Sequence, residues 1–235
     1  MPALPVSERG YTNPGLLVET GWLEEHLRDQ GLRLIDTRSA QLYETGHIPG
    51  AVSLAQHGSI PRADNGDMGT AEAFSSLAEA LGVSAESTVV IYDAPGAQMG
   101  MAAWAFAYYG HSSVQVLDGG FEKWTAEGRP VSTTPGTYPP GHFEAQPVED
   151  LFCSLDHATS VHGSPGTIFW DVRRPEEYNG TEPGNNTRPG HIPGAVHLEW
   201  TELLDPETRT FKPAAELRSL LNSRGITPES EIDCY

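Results

Sequence analysis

The chain has 235 residues, with 32 acidic side chains against 14 basic ones, a formal net charge of −18 and 38% apolar content. That apolar share supports packed cores and excludes disorder as the default, and the acidic balance excludes nucleic acid or an anionic membrane as the working partner. No stretch approaches the ~18 apolar residues of a membrane span, no basic-then-apolar leader opens the chain, and Cys153 and Cys234 make no disulfide framework, so a reducing cytoplasm is the expected location.

Residues 1–14 show no regular pattern. Trp22, Leu23 and Leu27 then follow at helical spacing, with Thr20 as the expected N-cap and Gly31 as the stop. Leu32 to Asp36 is a short apolar run ending in an acid, which suits a buried parallel strand. Ser39 to Tyr43 reads as a helical turn, His47 to Pro49 as a tight loop and Ala51 to Leu54 as the next strand. Gly58 to Gly69 is polar and loop-like. Thr70 to Leu81 is helical, with Phe74, Leu77, Ala78 and Leu81 on one face and Gly82 beyond its end. Thr88 to Tyr92 is a β-branched core strand followed directly by Asp93, and the loop 94–100 feeds an apolar helix over 101–109. Val114 to Leu117 is another strand, and Phe121 to Trp124 starts the last helix of this half. Strands alternating with helices predict an α/β domain with a mostly parallel sheet. Ligands of such sheets sit beyond the carboxyl ends of the strands, which puts the loop opened by Asp93 at the expected chemical position.

The proline- and glycine-rich stretch 131–143 reads as a linker between a first domain over 15–130 and a second over 144–235. The second domain repeats the first. Gly46-His47-Ile48-Pro49-Gly50-Ala51-Val52 recurs without change as Gly190-His191-Ile192-Pro193-Gly194-Ala195-Val196, 144 positions later. Ile35-Asp36-Thr37-Arg38 answers Trp170-Asp171-Val172-Arg173, and Tyr43 and Tyr178 each stand seven residues past the aspartate. Gly82 and Gly225 open matching segments. The second copy carries nine more residues between Tyr178 and Gly190, a Gly/Asn/Pro-rich surface loop. A period this long means a tandem pair of domains. His47 and His191 are read as loop residues bonded to nearby backbone or to the preceding aspartate, in preference to metal ligands or acid–base groups.

With Leu117-Asp118-Gly119-Gly120-Phe121 ahead of Trp124, these motifs resemble the tandem rhodanese family, the thiosulfate and 3-mercaptopyruvate sulfurtransferases. The resemblance implies two similar domains, each a parallel sheet with helices on both faces, the first inert and the second carrying a cysteine in the loop after its fourth strand. It implies sulfane-sulfur transfer through a cysteine persulfide, from a small anionic donor to cyanide or a thiol. It implies no cofactor, and no metal site is expected. Arg173 matches the donor-binding arginine, with Asp171, His191 and Arg188 in support and Arg38 as a structural counterpart. Mercaptopyruvate enzymes of the family carry a second arginine six residues after the aspartate; Glu177 stands there, which favours thiosulfate. A non-catalytic rhodanese-like module is the alternative of another class.

The repeat places the nucleophile. Asp93 lies eleven residues past Gly82, and eleven past Gly225 is one position beyond Tyr235. The expectation is a C-terminally truncated, inactive chain that exposes apolar surface where further elements would pack. Asp93, a carboxylate at the nucleophile position, marks the first domain as inert. Cys234 is the second choice for the nucleophile, although the register puts it opposite Ile91, inside a strand, as a buried thiol. The oligomeric state stays open.

Overall fold

The structure, a computed structural model, describes residues 4–94, 98–182 and 188–235, and the chain divides into two compact units. The first comprises residues up to Glu8, Thr12–Phe152 and Glu207–Thr210; the second comprises Arg9–Tyr11, Cys153–Pro206 and Phe211–Tyr235.

The first unit runs β1 (Leu17–Val18), α1 (Thr20–His26), β2 (Leu32–Asp36), α2 (Ala40–Thr45), β3 (Val52–Ser53), α3 (Leu54–His57), α4 (Ala71–Ala80), β4 (Thr88–Tyr92), α5 (Gln98–Tyr108), β5 (Val114–Leu117) and α6 (Gly120–Ala126). Its sheet is wholly parallel, in the order β1-β5-β4-β2-β3. Alternation along the strands sends side chains to two cores. Ile35, Val89 and Ile91 join Phe74, Leu77, Ala102 and Phe106 from α4 and α5. Leu34, Val90 and Tyr92 join Leu23, Tyr43 and Trp124 from α1, α2 and α6. Helices therefore cover both faces, as the unbroken apolar strands require.

Three details depart from the sequence expectation. Thr20 is the first helical residue of α1, not its cap; Glu19 precedes the helix without a side-chain cap bond, and the Thr20 hydroxyl is held by Glu127 at 2.6 Å and Lys123 at 2.9 Å. The helix stops at His26, short of Gly31. The boundary between units falls at Cys153, and the stretch 131–152 belongs to the first unit. The reason is packing: Phe143 and Ala145 are buried in the α4/α5 core, Tyr138 and Phe152 lie against it, and Ser132 pairs with His47 backbone to backbone. Gly82 has φ +77°, and a Cβ there would collide with Tyr138, so this stretch lies directly over the α4 terminus.

The second unit runs α7 (Leu155–Val161), β6 (Thr167–Asp171), α8 (Pro175–Asn179), β7 (Val196–His197), α9 (Ala214–Ser223) and β8 (Glu231–Cys234). Its parallel sheet has the order β7-β6-β8. Residues 183–187 of the inserted loop lie outside the described residues. Its strands repeat the first unit's register: Trp170 faces Cys234 as Ile35 faces Ile91. The difference is position. β4 is flanked by β2 and β5, whereas β8 pairs only with β6 among the described residues. Ile232 on β8 is accordingly 40% exposed, and Leu155, at the start of α7, is 78% exposed.

Candidate functional site

Both Asp-x-Arg motifs stand at the carboxyl end of a strand, and each folds into the same knot. In the first unit Asp36 is fully buried and accepts from the Arg38 amide at 2.9 Å, from Arg38 Nε at 3.0 Å and from Arg38 Nη2 at 2.6 Å. Arg38 Nη2 also donates to the Gly46 carbonyl at 2.7 Å. The Tyr92 hydroxyl closes the knot, donating to Asp36 Oδ2 at 2.7 Å and accepting from the Ile48 amide at 3.1 Å.

The second unit repeats each bond. Asp171, also fully buried, accepts from the Arg173 amide at 3.0 Å, from Nε at 3.0 Å and from Nη2 at 2.5 Å, and Nη2 donates to the Gly190 carbonyl at 3.0 Å. The Tyr235 hydroxyl bonds to Asp171 and accepts from the Ile192 amide at 2.9 Å. Burial pushes the Asp171 carboxyl up, but the Arg173 guanidinium and amide together with Tyr235 hold it below its ordinary range. The Tyr235 phenol is pushed up to about 12, by burial first and by Asp171.

The paired histidines serve the loop backbone. His191 Nδ1 lies 2.8 Å from the Tyr178 carbonyl and its ring stacks on Tyr178 at 3.7 Å. His47 repeats this with Tyr43, at 2.9 Å and 3.9 Å, and its Nε2 also reaches the Thr134 carbonyl at 2.9 Å. In the second unit His197 stacks on the other side of Tyr178, at 4.5 Å, and bonds to the Arg173 carbonyl at 2.9 Å. Arg188 is exposed, beside residues outside the described ones. Glu177 is engaged by Arg174 at 3.1 Å.

Asp93 sits at the carboxyl end of β4, 7% exposed. Burial raises its pKa, opposed by the amides of Ala94 and Met99, which bond its carboxylate; Asp36 adds to the rise and Arg38 opposes it. The chain's own carboxylate therefore takes the amides at the mouth of α5, while Oδ2 stays buried without a hydrogen-bond partner. Residues 95–97, the centre of the expected amide cup, lie outside the described residues. Gly120 closes the site from below: the Phe121 amide donates to the Asp93 carbonyl at 2.9 Å, and a Cβ at Gly120 would strike that oxygen.

Cys234 is exposed, against the expectation of a buried thiol, because no further strand covers the β8 edge among the described residues. Side chains alternate along a strand, so Cys234 points away from the face on which the Tyr235 ring meets Arg173 at 5.1 Å. Its thiol is held above the ordinary range by partial burial and then by Asp171. Cys153 is half-buried, its thiol pushed up to about 11 by burial, by a hydrogen bond to Asp233 and by the charges of Asp233 and Glu231.

The residues that sequence reasoning passed over are Tyr92 and Tyr235. Each reads as an ordinary strand residue, yet its hydroxyl joins the Asp-Arg knot to the Gly-His-Ile-Pro loop. The signal was available: the spacing from Gly82 and Gly225 aligns the two tyrosines.

A model of the rhodanese-like domain matches residues 19–127. The sulfur carrier protein TtuD of Thermus thermophilus is 37% identical over 240 residues, covering 96% of this chain and 84% of the relative. The thiosulfate sulfurtransferase of Corynebacterium glutamicum is 31% identical, covering 95% and 78%. Among solved structures, the 3-mercaptopyruvate sulfotransferase SseA from Escherichia coli has a TM-score of 0.80 at 25% identity, over 93% of this chain and 87% of its own. The anaerobic ergothioneine biosynthesis enzyme from Chlorobium limicola shares the fold, with a TM-score of 0.84 at 22% identity over 95% of this chain. The chain spans 61% of that enzyme's length.

Proposed function

Because the chain belongs to the rhodanese family of sulfurtransferases, we propose that it is built to move sulfane sulfur from thiosulfate to cyanide or a thiol through a persulfide on a cysteine that follows Tyr235. One observation carries the reading: Tyr235 makes the bonds of Tyr92, so the position that answers Asp93 is the next one. The thiolate there attacks the outer sulfur of thiosulfate, the S–S bond breaks with its electron pair leaving on sulfite, and the enzyme holds Cys–S–S⁻. Cyanide or a thiolate then attacks the outer sulfur and the cysteine thiolate leaves.

Arg173 supports this reading as the donor's cation. Its Nε and Nη2 are committed to Asp171 and Gly190, and Nη1 makes no hydrogen bond among the described residues. A guanidinium held this way presents a fixed, always charged edge to an oxyanion, locally offsetting the chain's net charge of −18. Asp171 and the Gly190 carbonyl hold its guanidinium and His197 holds its backbone carbonyl, while His191 braces the loop at Tyr178. Cys234 does not fit as the nucleophile: it faces away from Arg173 and its raised pKa leaves little thiolate. Glu177, paired with Arg174 where a carboxylate-binding arginine would serve mercaptopyruvate, favours thiosulfate. A second reading, delivery of the sulfur to a protein acceptor, draws on the 37% identical relative named a sulfur carrier.

The test is a thiosulfate:cyanide assay on the 235 residues and on the chain continued in its reading frame beyond Tyr235. Turnover is expected only from the continued chain, with cysteine at the next position. Full turnover by the 235 residues, abolished in Cys234→Ser, would overturn the assignment.

A further inference from the structure

We propose that the second unit carries a binding site for a zinc-class divalent cation, formed by Cys153, His157 and Asp233. A thiol sulfur, an imidazole nitrogen and a carboxylate oxygen from these residues all lie within 4.8 Å of one another. No metal was expected from the sequence: Cys153 and His157 lie four residues apart, but Asp233 comes 76 residues after His157.

The local fold explains how they meet. Cys153 stands just before Ser154, the N-cap of α7, and His157 is the third residue of that helix. Ser154 accepts the His157 amide at 3.1 Å, which fixes the turn joining the two. Asp233 comes from β8, opposite Phe169 of β6.

The equivalent positions of the first unit carry no such chemistry. Val18 stands just before Glu19, the residue preceding α1, and Trp22 is the third residue of that helix. Val90 lies opposite Leu34, as Asp233 lies opposite Phe169. Val18 and Val90 belong to one buried apolar core. Where the first unit packs two valines, the second places a thiol and a carboxylate. Asp233 is half-buried, but its Oδ2 is a buried oxygen with no hydrogen-bond partner, which is costly unless something compensates it.

Charge points the same way. Glu231 lies 3.2 Å from His157 Nε2 and adds a second carboxylate, and among the described residues no lysine or arginine pairs with Asp233 or Glu231. The site is a concentration of negative charge on an acidic chain, and a cation is what would neutralise it.

The ligand set selects the ion. Sulfur, nitrogen and oxygen together suit zinc better than magnesium or calcium, which take oxygen alone. A tetrahedral ion with bonds of ~2.0–2.3 Å has ligand–ligand edges of roughly 3.3–3.8 Å, so small inward rotations of the three side chains close the site. Three protein ligands leave the fourth position to water. This inference is independent of the sulfur chemistry.

The experiment is titration of the metal-stripped 235-residue protein with Zn²⁺ against a chromophoric chelator, repeated with Co²⁺ to observe a thiolate-to-metal charge-transfer band. A single ion per chain and a charge-transfer band are expected. Cys153→Ser abolishes the band, and Cys153→Ser and Asp233→Asn each weaken binding at least ~10-fold. His157→Gln lies on the exposed surface of α7, so it can leave the fold intact while still weakening binding. Cys234→Ser leaves affinity and band unchanged. Failure of Zn²⁺ to bind stoichiometrically, a band that survives Cys153→Ser, or a loss of affinity in Cys234→Ser but not in His157→Gln overturns the proposal.

Discussion

The knots of the two units make the same bonds under different cover. The Arg38 side chain is 4% exposed and lies 3.7 Å from the Phe121 ring, which closes over it from the start of α6. The Arg173 side chain is 21% exposed, and the ring nearest its guanidinium is Tyr235 at 5.1 Å. Beside Arg38, the carboxylate of Asp93 already holds the amides at the mouth of α5. One motif thus yields a sealed brace in one unit and a cation that solvent can reach in the other. The bonding pattern alone does not separate these roles; what lies above the guanidinium does.

Removing the counter-charge tests this comparison most severely. In Asp36→Asn the Arg38 charge stays buried without its partner, and the first unit is expected to lose ~3–5 kcal/mol. Asp171→Asn is expected to cost less, ~1–3 kcal/mol, because water can take over part of the work at Arg173. Denaturant unfolding, with hydrogen exchange read separately in β2 and β6, measures both. Equal losses would break the comparison.

A smaller effect separates the tyrosines. Tyr92→Phe strands the Ile48 amide inside a closed core, and about 1–3 kcal/mol is expected to go. Tyr235→Phe removes the same hydroxyl from a half-buried position, and roughly 0.5–1.5 kcal/mol is expected. Exchange of the Ile48 and Ile192 amides reports each bond directly. If Ile48 and Ile192 are deprotected equally in the paired variants, the knots are equivalent bond for bond. Greater protection of Ile192 than of Ile48 in the parent protein would count against the difference in cover.

Much of this arrangement was legible in the chain. β2 and β4 were visible as apolar runs ending in an acid or tyrosine, β6 as the second copy of the β2 motif, and α4 through helical periodicity, because burial on a fixed face imposes a repeat. The knots were legible as Asp-x-Arg written twice. The attachment of 131–152 to the first unit was not. Phe143, Ala145 and Phe152 are isolated apolar residues in a stretch without period, and only the α4/α5 core shows why they are held. Thr20 misled for a related reason: a threonine before a helix is an ordinary cap, and its pairing with Lys123 and Glu127 joins residues more than a hundred positions apart. The exposure of Cys234 depends on which strands flank β8, and no local pattern encodes that.

The subtlest prediction sets Asp93 against Asp171, two buried acids whose pKa values move in opposite directions. Asp171 is held below its ordinary range. Its contribution to stability is therefore present above the unfolded carboxylate value of ~3.9 and is lost as pH falls through the lower folded value. Asp93 is raised. Its carboxylate opposes folding at neutral pH, and the opposition is relieved as pH falls through the raised folded value toward ~3.9. Asp93→Asn is accordingly expected to stabilise the first unit by ~0.5–1 kcal/mol at neutral pH, with the gain vanishing below pH ~4. Asp171→Asn shows the reverse sign at neutral pH, its deficit shrinking only on further acidification. Urea midpoints of both variants across this range decide the matter. A neutral-pH loss in Asp93→Asn would mean that the amides of Ala94 and Met99 outweigh burial, making the Asp93 carboxylate a stabilising ligand of its own loop.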